Sequence, residues 1–175
     1  MHDRLRSTAL MAAVLLVTFP FSLPACSADR PPHGRIHAGP DQGLIGVPGV
    51  LTAADRTIEI SLTSFAFSPD AVQVAPGETL HFVLINDTDT PHEFTIGTPD
   101  MHREHRQEML AMMQSGGTAD MHGDPNAILV APKARADLYW RFPQVLPSGT
   151  ALGFACDIPG HAEAGMTGTF TLTSN

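Results

Sequence analysis

The chain has 175 residues and a formal net charge of −8 at pH 7. This length suits one domain with additional segments. Such an acidic balance argues against binding to nucleic acid or to anionic lipid surfaces, so we expect no nucleic-acid partner.

The first 25 residues have the pattern of an export signal. The basic residues Arg4 and Arg6 precede a long apolar run over residues 9–23, and Pro20 interrupts that run. This pattern favours a signal peptide over a membrane span. We therefore predict a signal peptide over residues 1–25 and a periplasmic location.

The end of this segment resembles a bacterial lipoprotein box. Leu23-Pro24-Ala25-Cys26 places a cysteine where such a box has its lipidated first residue, and Ser27 follows it. The resemblance implies an anchor to the outer membrane through lipidated Cys26, with no other contact to the membrane. Ordinary cleavage after Ala25 or Ala28 remains the alternative.

Residues 26–54 are predicted to form a flexible tether. Most of this segment is rich in proline and glycine and poor in bulky apolar side chains, a composition that sustains neither helix nor strand. The folded domain is therefore predicted over residues 55–175.

From residue 56 onward the sequence shows the two-residue alternation of half-buried strands. Leu80, for example, alternates with His81, so we expect His81 at an edge or on the surface and not as a metal ligand. About eight short strands separated by turns predict an all-β Greek-key β-sandwich. The apolar positions that carry the alternation are Ile58, Ile60, Leu62, Leu80, Phe82, Leu84, Phe94, Ile96, Leu138, Trp140, Phe142, Phe170 and Leu172.

One insertion interrupts the strands over residues 97–126. Residues 103–114 contain neither glycine nor proline and favour a helix. Ser115-Gly116-Gly117 is predicted to end this helix.

Three soft metal donors are evenly spaced near the C-terminus. Cys156, His161 and Met166 are each separated from the next by four residues, and Pro159-Gly160 and Gly165 allow the chain to turn back between them. A thiolate, an imidazole and a thioether make up most of the ligand set of a mononuclear blue-copper centre, which requires one further imidazole.

The cysteine count supports a metal at this loop. The chain has two cysteines, and if Cys26 carries a lipid then Cys156 has no disulfide partner. Coordination to a metal would protect a lone thiol in an oxidising compartment. A Cys26–Cys156 disulfide and an inert buried thiol are the alternatives.

His92 is predicted to supply the second imidazole. It follows a polar loop and begins a strand whose apolar residues point inward. In a Greek-key sandwich, loops that are distant in sequence meet at one end. We expect apolar walls around the site from Phe67, Phe94, Phe154 and Ile158.

The residues above resemble the cupredoxin family of blue-copper proteins over roughly residues 56–173. The motifs that carry the resemblance are Phe67-Ser68-Pro69, Val74-Ala75-Pro76-Gly77-Glu78, Asn86-x5-His92-x-Phe94 and Cys156-x4-His161-x4-Met166. The last spacing is more similar to the auracyanin branch than to plastocyanin. The resemblance implies one type 1 copper ion held by His92, Cys156, His161 and Met166. A dinuclear copper centre would need a second cysteine in this loop.

The position after the first ligand departs from the family pattern. Many cupredoxins have Asn or Ser there, which ties the two ligand loops together, but this chain has Glu93. The resemblance therefore leaves open how the loops are joined.

The insertion is rich in methionine and histidine. Five of the eight methionines lie in it, and on a helix several of these donors would share one face. Because thioethers and imidazoles bind Cu(I), one hypothesis is a second copper site. The other is that this face packs on the sandwich, since methionine is a flexible core residue. The candidate residues are Met101, His105, Met109, Met112, Met113, Met121 and His122.

Function follows from these resemblances. Met121-His122, Asp124-Pro125-Asn126 and the Cys156 loop resemble the CopI-like periplasmic copper-tolerance cupredoxins. This implies a role in handling excess copper, with copper ions as the partners. We separately expect a monomer. Four protein ligands leave no open position for a substrate, so we expect no enzymatic activity. The alternative is an electron carrier that exchanges electrons with a c-type cytochrome or another redox protein of a respiratory oxidase or reductase.

Overall fold

The strands form two sheets that face each other. The structure is a computed structural model that describes residues 42–116, 123–146 and 148–173. Within these ranges the first sheet consists of β1 Val47–Pro48, β2 Arg56–Leu62, β3 Phe67–Ser68, β5 Thr79–Asn86 and β8 Arg135–Arg141. The second sheet consists of β4 Ala71–Val74, β6 His92–Gly97, β7 Ala127–Val130, β9 Leu152–Ala155 and β10 Thr167–Leu172.

Both sheets mix parallel and antiparallel pairs. The first has the strand order β1-β8-β5-β2-β3, with β2 parallel to β5 and the other neighbours antiparallel. The second has the order β4-β10-β9-β6-β7, with β4 parallel to β10 and the rest antiparallel. The predicted all-β sandwich is confirmed, with ten strands in the described residues where about eight were expected. The extra strands include β1 and β3, which are too short to show any periodicity.

The core lies between the sheets and follows the predicted alternation. Side chains from β2, β5 and β8 meet side chains from β4, β6, β9 and β10, because alternate residues of a strand point to opposite faces. The fully buried residues include Ile60, Leu62, Leu80, Phe82, Leu84, Trp140, Phe94, Ile96, Val74 and Phe154.

The predicted helical insertion is confirmed by helix α2, which spans Pro99–Gln114. It begins four residues earlier than expected because Thr98 caps its N-terminus: the Thr98 hydroxyl accepts a hydrogen bond from the backbone N–H of Met101 at 3.3 Å. Pro99 at the first helical position suits the same start. The helix covers the outer face of β6, and all six residues of that strand are buried.

The predicted flexible tether needs a correction for residues 42–54. These residues form helix α1 Gln42–Ile45, strand β1 and a 3₁₀ turn Leu51–Ala53. Ile45 is buried, and its carbonyl accepts a hydrogen bond from the indole N–H of Trp140 at 2.8 Å. Strand pairing with β8 therefore holds this segment against the sandwich although its composition favours a linker.

The predicted signal peptide, Cys26 and the first part of the predicted tether lie outside the described residues. In the ranges that the structure describes, no helix has the length and the apolar character needed to cross a membrane.

Candidate metal centre

Three predicted donors meet at one end of the sandwich. His92 begins β6, Cys156 follows β9 directly, and His161 lies in the loop between β9 and β10. One potential ligand atom from each residue lies within 4.8 Å of the others. Met166, the fourth predicted donor, is fully buried at the end of the same loop.

Main-chain hydrogen bonds fold the loop between β9 and β10 into a compact turn. The backbone N–H of Cys156 donates to the carbonyl of Met166 at 3.0 Å, and the N–H of Met166 donates to the carbonyl of His161 at 3.0 Å. Gly160 and Gly165 have φ angles of 93° and 109°, which side chains other than glycine rarely adopt. The chain can therefore bring these three donors together within eleven residues.

The imidazole of His92 is oriented with one nitrogen left for a metal. Its Nε2 lies 3.0 Å from the hydroxyl of Thr88 and 3.4 Å from that of Thr90. Its Nδ1 is buried and has no hydrogen-bond partner among the described residues. Buried polar atoms are rarely left without a partner, so the free nitrogen fits a metal ligand held in place by a hydrogen bond on the other side of the ring.

The sulfur of Cys156 lies between the two imidazole-bearing segments. It accepts a hydrogen bond from the backbone N–H of Glu93 at 3.3 Å and lies 3.2 Å from Nδ1 of His161. Glu93 thus joins the two ligand-bearing segments through its main chain, although its side chain is not the Asn or Ser found in many cupredoxins.

Burial sets the protonation states of the metal-free site. It raises the pKa of the Cys156 thiol to about 12, although hydrogen bonds from the backbone of Glu93 and Ile158 partly oppose the rise. Burial also lowers the pKa of His92 and of His161. The imidazoles are therefore neutral and ready to bind a metal near pH 7, whereas the thiol needs a cation to replace its proton.

The aromatic side chains predicted to line the site belong to one buried cluster that also contains Cys156 and Met166. The ring centroids of Phe67 and Phe154 are 5.2 Å apart, and those of Phe94 and Phe154 are 5.1 Å apart. Ile158 is partly buried against the same cluster. Phe65, which is 50% exposed, meets the half-buried ring of His161 edge-on at 5.3 Å.

A second buried group of polar residues lies beside this site, and the sequence analysis missed it. The side chain of Glu93 contacts Nε2 of His105 at 3.1 Å, and Asp157 contacts Nδ1 of His102 and a terminal nitrogen of Arg106, each at 2.8 Å. Two signals in the sequence pointed to this group. His105 and Arg106 lie three and four residues after His102, which places them on one helix face with it. Glu93 is also an unusual residue for the position after the first ligand.

The predicted second set of donors is distributed over both faces of α2. His105 and Met109 are buried, Met101 and Met112 are partly buried, and Met113 is 51% exposed. Met121 and His122 lie outside the described residues. His105 is engaged by carboxylates, so the second copper site remains a prediction in which this imidazole has competing partners.

Two imidazoles, a thiolate and a buried thioether nearby form a soft donor set that suits copper. Copper proteins of the mononuclear blue type combine such donors with a β-sandwich, and fold and site together define that class here. The chain belongs to the plastocyanin/azurin family of copper binding proteins, whose profile matches residues 54–173, and its cofactor is copper.

The chain is similar in sequence to bacterial copper proteins and in fold to a solved structure. The chain is 41% identical over 172 residues to the copper-resistant cuproprotein CopI of Pseudomonas aeruginosa, covering 85% of this chain and 88% of the relative. It is 35% identical over 170 residues to CopI of Rubrivivax gelatinosus, covering 94% and 97%. The structure of auracyanin B superimposes with a TM-score of 0.57 at 19% identity, covering 74% of this chain and 96% of that one. This last likeness concerns the fold alone.

Proposed function

We propose that the protein handles copper in copper tolerance and binds one type 1 copper ion through His92, Cys156, His161 and Met166. The observation that carries the ligand assignment is the buried Nδ1 of His92, which has no hydrogen-bond partner in the described residues. The same histidine forms one group of potential ligands with Cys156 and His161. Copper would supply reversible one-electron chemistry there. The chain supplies donors, a dry pocket and hydrogen bonds that fix them, and we propose no enzymatic activity.

The role in tolerance draws on the relatives. Both CopI proteins are named copper-resistant cuproproteins, and their matches extend over most of their length and of this chain. A protein that keeps copper bound in a buried site, away from other thiols, would lower the concentration of free copper in its compartment.

We also propose export to the periplasm with a lipid anchor at Cys26. The support is the basic start, the apolar run and the box-like segment before Cys26. Fractionation of cells that produce the wild-type chain or the variant Cys26→Ala tests the anchor. We expect the wild type in the membrane fraction and the variant in the soluble periplasmic fraction. Finding both proteins in one fraction would refute the lipid anchor.

A deletion strain tests the tolerance role. We expect the strain to grow poorly in excess copper and the wild-type gene to restore growth. The variant Cys156→Ala should fail to restore it and should lack the sulfur-to-copper charge-transfer colour when purified. The control is His81→Gln, which alters an imidazole bonded to Asp137 away from the donor group. Unchanged copper sensitivity on deletion would contradict the role, and a coloured Cys156→Ala protein would contradict the ligand set.

Electron transfer is the second candidate. The exposed ring of Phe65 lies against His161, the only one of the four proposed ligands that is not fully buried, so this edge could face a redox partner. A c-type cytochrome should then reduce the copper protein rapidly, and Phe65→Ala should slow the reaction while Leu110→Ala, an exposed apolar control on α2, should not. Equal rates in all three proteins would argue against an electron path at this edge.

A further inference from the structure

Two buried carboxylates each follow a proposed copper ligand directly in the chain. Glu93 follows His92, Asp157 follows Cys156, and the side chains of both turn toward helix α2. We propose that α2 is a clamp that fixes the geometry of the His92–Cys156 donor pair through these carboxylates, and that His102, His105 and Arg106 are its positioning residues. This inference rests on the proposed copper ligation.

The first half of the clamp is Glu93. Its backbone N–H donates to the Cys156 sulfur at 3.3 Å, while its carboxylate contacts Nε2 of His105 through both oxygens at 3.1 and 3.2 Å. The other ring nitrogen of His105 lies 3.6 Å from a carboxylate oxygen of Asp124. Glu93 therefore connects the Cys156 sulfur to helix α2. A displacement of His105 would move the Glu93 backbone N–H that donates to this sulfur.

The second half is Asp157, which is fully buried. His102 contacts its Oδ2 and Arg106 donates to its Oδ1, each at 2.8 Å. Arg106 also lies 3.4 Å from the carboxylate of Glu163, which in turn accepts a hydrogen bond from the backbone N–H of Gly160 at 3.0 Å. The same arginine thus holds the residue after Cys156 and the loop that carries His161.

The chemistry of burial explains why this arrangement would be rigid. A buried carboxylate is stable only when it is paired and its oxygens accept hydrogen bonds, and loss of one partner leaves an uncompensated charge. Both oxygens of Glu93 and both oxygens of Asp157 have partners on α2. The helix can therefore shift only if it breaks several of these contacts together.

A metal ion held by Glu93, His105 and Asp157 is the competing interpretation, because ligand atoms of these residues lie within 4.8 Å of one another. One observation and one physical argument favour the clamp. The oxygens of Asp157 already contact the guanidinium of Arg106 and the imidazole of His102. Arginine is always charged, so Arg106 would repel a cation bound beside it.

The test compares variants on one face of α2. His105→Leu removes the contact with Glu93, His105→Gln keeps an N–H donor, and Met109→Ala is the matched control because Met109 is buried on the same helix. Two quantities are measured: the exchange rate of the Glu93 amide in the metal-free protein, and the intensity ratio of the charge-transfer bands of the Cu(II) protein.

We expect His105→Leu to raise the exchange rate of the Glu93 amide by about tenfold or more and to change the band ratio. His105→Gln should lie between His105→Leu and the wild type. Met109→Ala should leave both the exchange rate of the Glu93 amide and the band ratio close to the wild-type values. If His105→Leu does not fold, the double variant E93Q/H105L removes the stranded charge and serves in the same comparison.

Three results separate the possible failures. If His105→Leu behaves like Met109→Ala in both measurements, the clamp is refuted. If the wild type shows no colour that depends on Cys156, the proposed copper ligation fails, but amide exchange in the metal-free protein still decides on the clamp. If Cys156→Ala binds a Zn²⁺ ion that the further change Asp157→Asn abolishes, the cluster is a metal site and the clamp is overturned.

Discussion

At the scale of single residues, His105 shows how neighbours reverse the effect of burial on an imidazole. Burial lowers its pKa, but the hydrogen bond and charge of Glu93 and the charges of Asp157 and Asp124 outweigh burial, so the pKa rises above 6.5. A raised pKa in the folded state means that the folded protein holds this proton more tightly than the unfolded chain does.

This shift predicts how His105 contributes to stability at different pH values. Its contribution is fully present below pH 6.5, the unfolded value, and is lost as the pH rises through the folded pKa. In the metal-free protein, the loss in unfolding free energy caused by His105→Gln should be larger at about pH 6 than at about pH 9. Denaturant titrations of both proteins measure this. His92 and His161 titrate in both proteins and cancel in the difference; a loss that is equal at the two pH values would contradict the assignment.

The sequence predicted which potential donors lie close together better than it predicted the polar groups around them. Cys156, His161 and Met166 could be proposed as donors from their regular spacing within one loop. His92 needed the fold as well. The contact between Glu93 and His105 also needed the fold, because helix spacing shows which residues share a face but not which strand that face covers.

At the scale of elements, β10 packs so closely against β9 and against the chain before β4 that only glycine fits at two positions: Gly168, which pairs with Phe154, and Gly153, which pairs with Thr169. A Cβ on Gly168 would lie 2.1 Å from the Phe154 ring and 2.7 Å from the carbonyl of Asp70. A Cβ on Gly153 would lie 2.6 Å from the carbonyl of Gly168. This pair of strands therefore sets the position of Phe154, one of the walls of the copper site.

Gly168→Ala should consequently destabilise the metal-free protein. Overfilling a packed core costs about 1–3 kcal/mol, and part of the clash here is with backbone that cannot rotate away. Chemical denaturation measures the change. Gly43→Ala is the control, because an added Cβ there has no atom within 4 Å, and it should leave stability within about 0.5 kcal/mol of the wild type. Equal midpoints for the two variants would show that β9 and β10 can separate at no cost.

The elements that the sequence predicted are those with enough residues to show a period. β2, β5 and β8 alternate over seven or eight residues, and their faces were assigned correctly. Residues 42–54 have the composition of a linker, and β1 has only two residues, too few to show a period. Its attachment depends on Trp140 and on close backbone approach at Gly46, where a Cβ would lie 2.2 Å from the carbonyl of Arg141.

At the scale of the whole molecule, the open question is how many copper ions one chain holds. The described part of the insertion packs against the sandwich through His102, His105 and Met109, and the two imidazoles contact carboxylates. These contacts indicate that most of helix α2 packs on the sandwich and does not form a second copper site. Met112 and Met113 lie nearer the surface.

We therefore expect one tightly bound Cu(I) per chain. Titration of the purified protein against a competing Cu(I) chelator measures the number of ions, and the triple variant with Met109, Met112 and Met113 replaced by leucine should bind the same number. Cys156→Ala serves as the control and should lose the tight ion. A second tight ion that disappears in the triple variant would instead establish the methionine-rich insertion as a copper site.

The loop between β9 and β10 has a consequence for the unfolded chain. Three of the four proposed donors lie within the eleven residues 156–166, whereas His92 is 64 residues before Cys156. Closing so short a loop loses little chain entropy compared with closing the long one. An unfolded chain therefore already offers copper a three-donor chelate, and folding adds only the last ligand and the enclosure. Because a metal stabilises a fold only by the difference between its affinities for the folded and unfolded states, copper should stabilise this protein by less than its binding affinity alone implies.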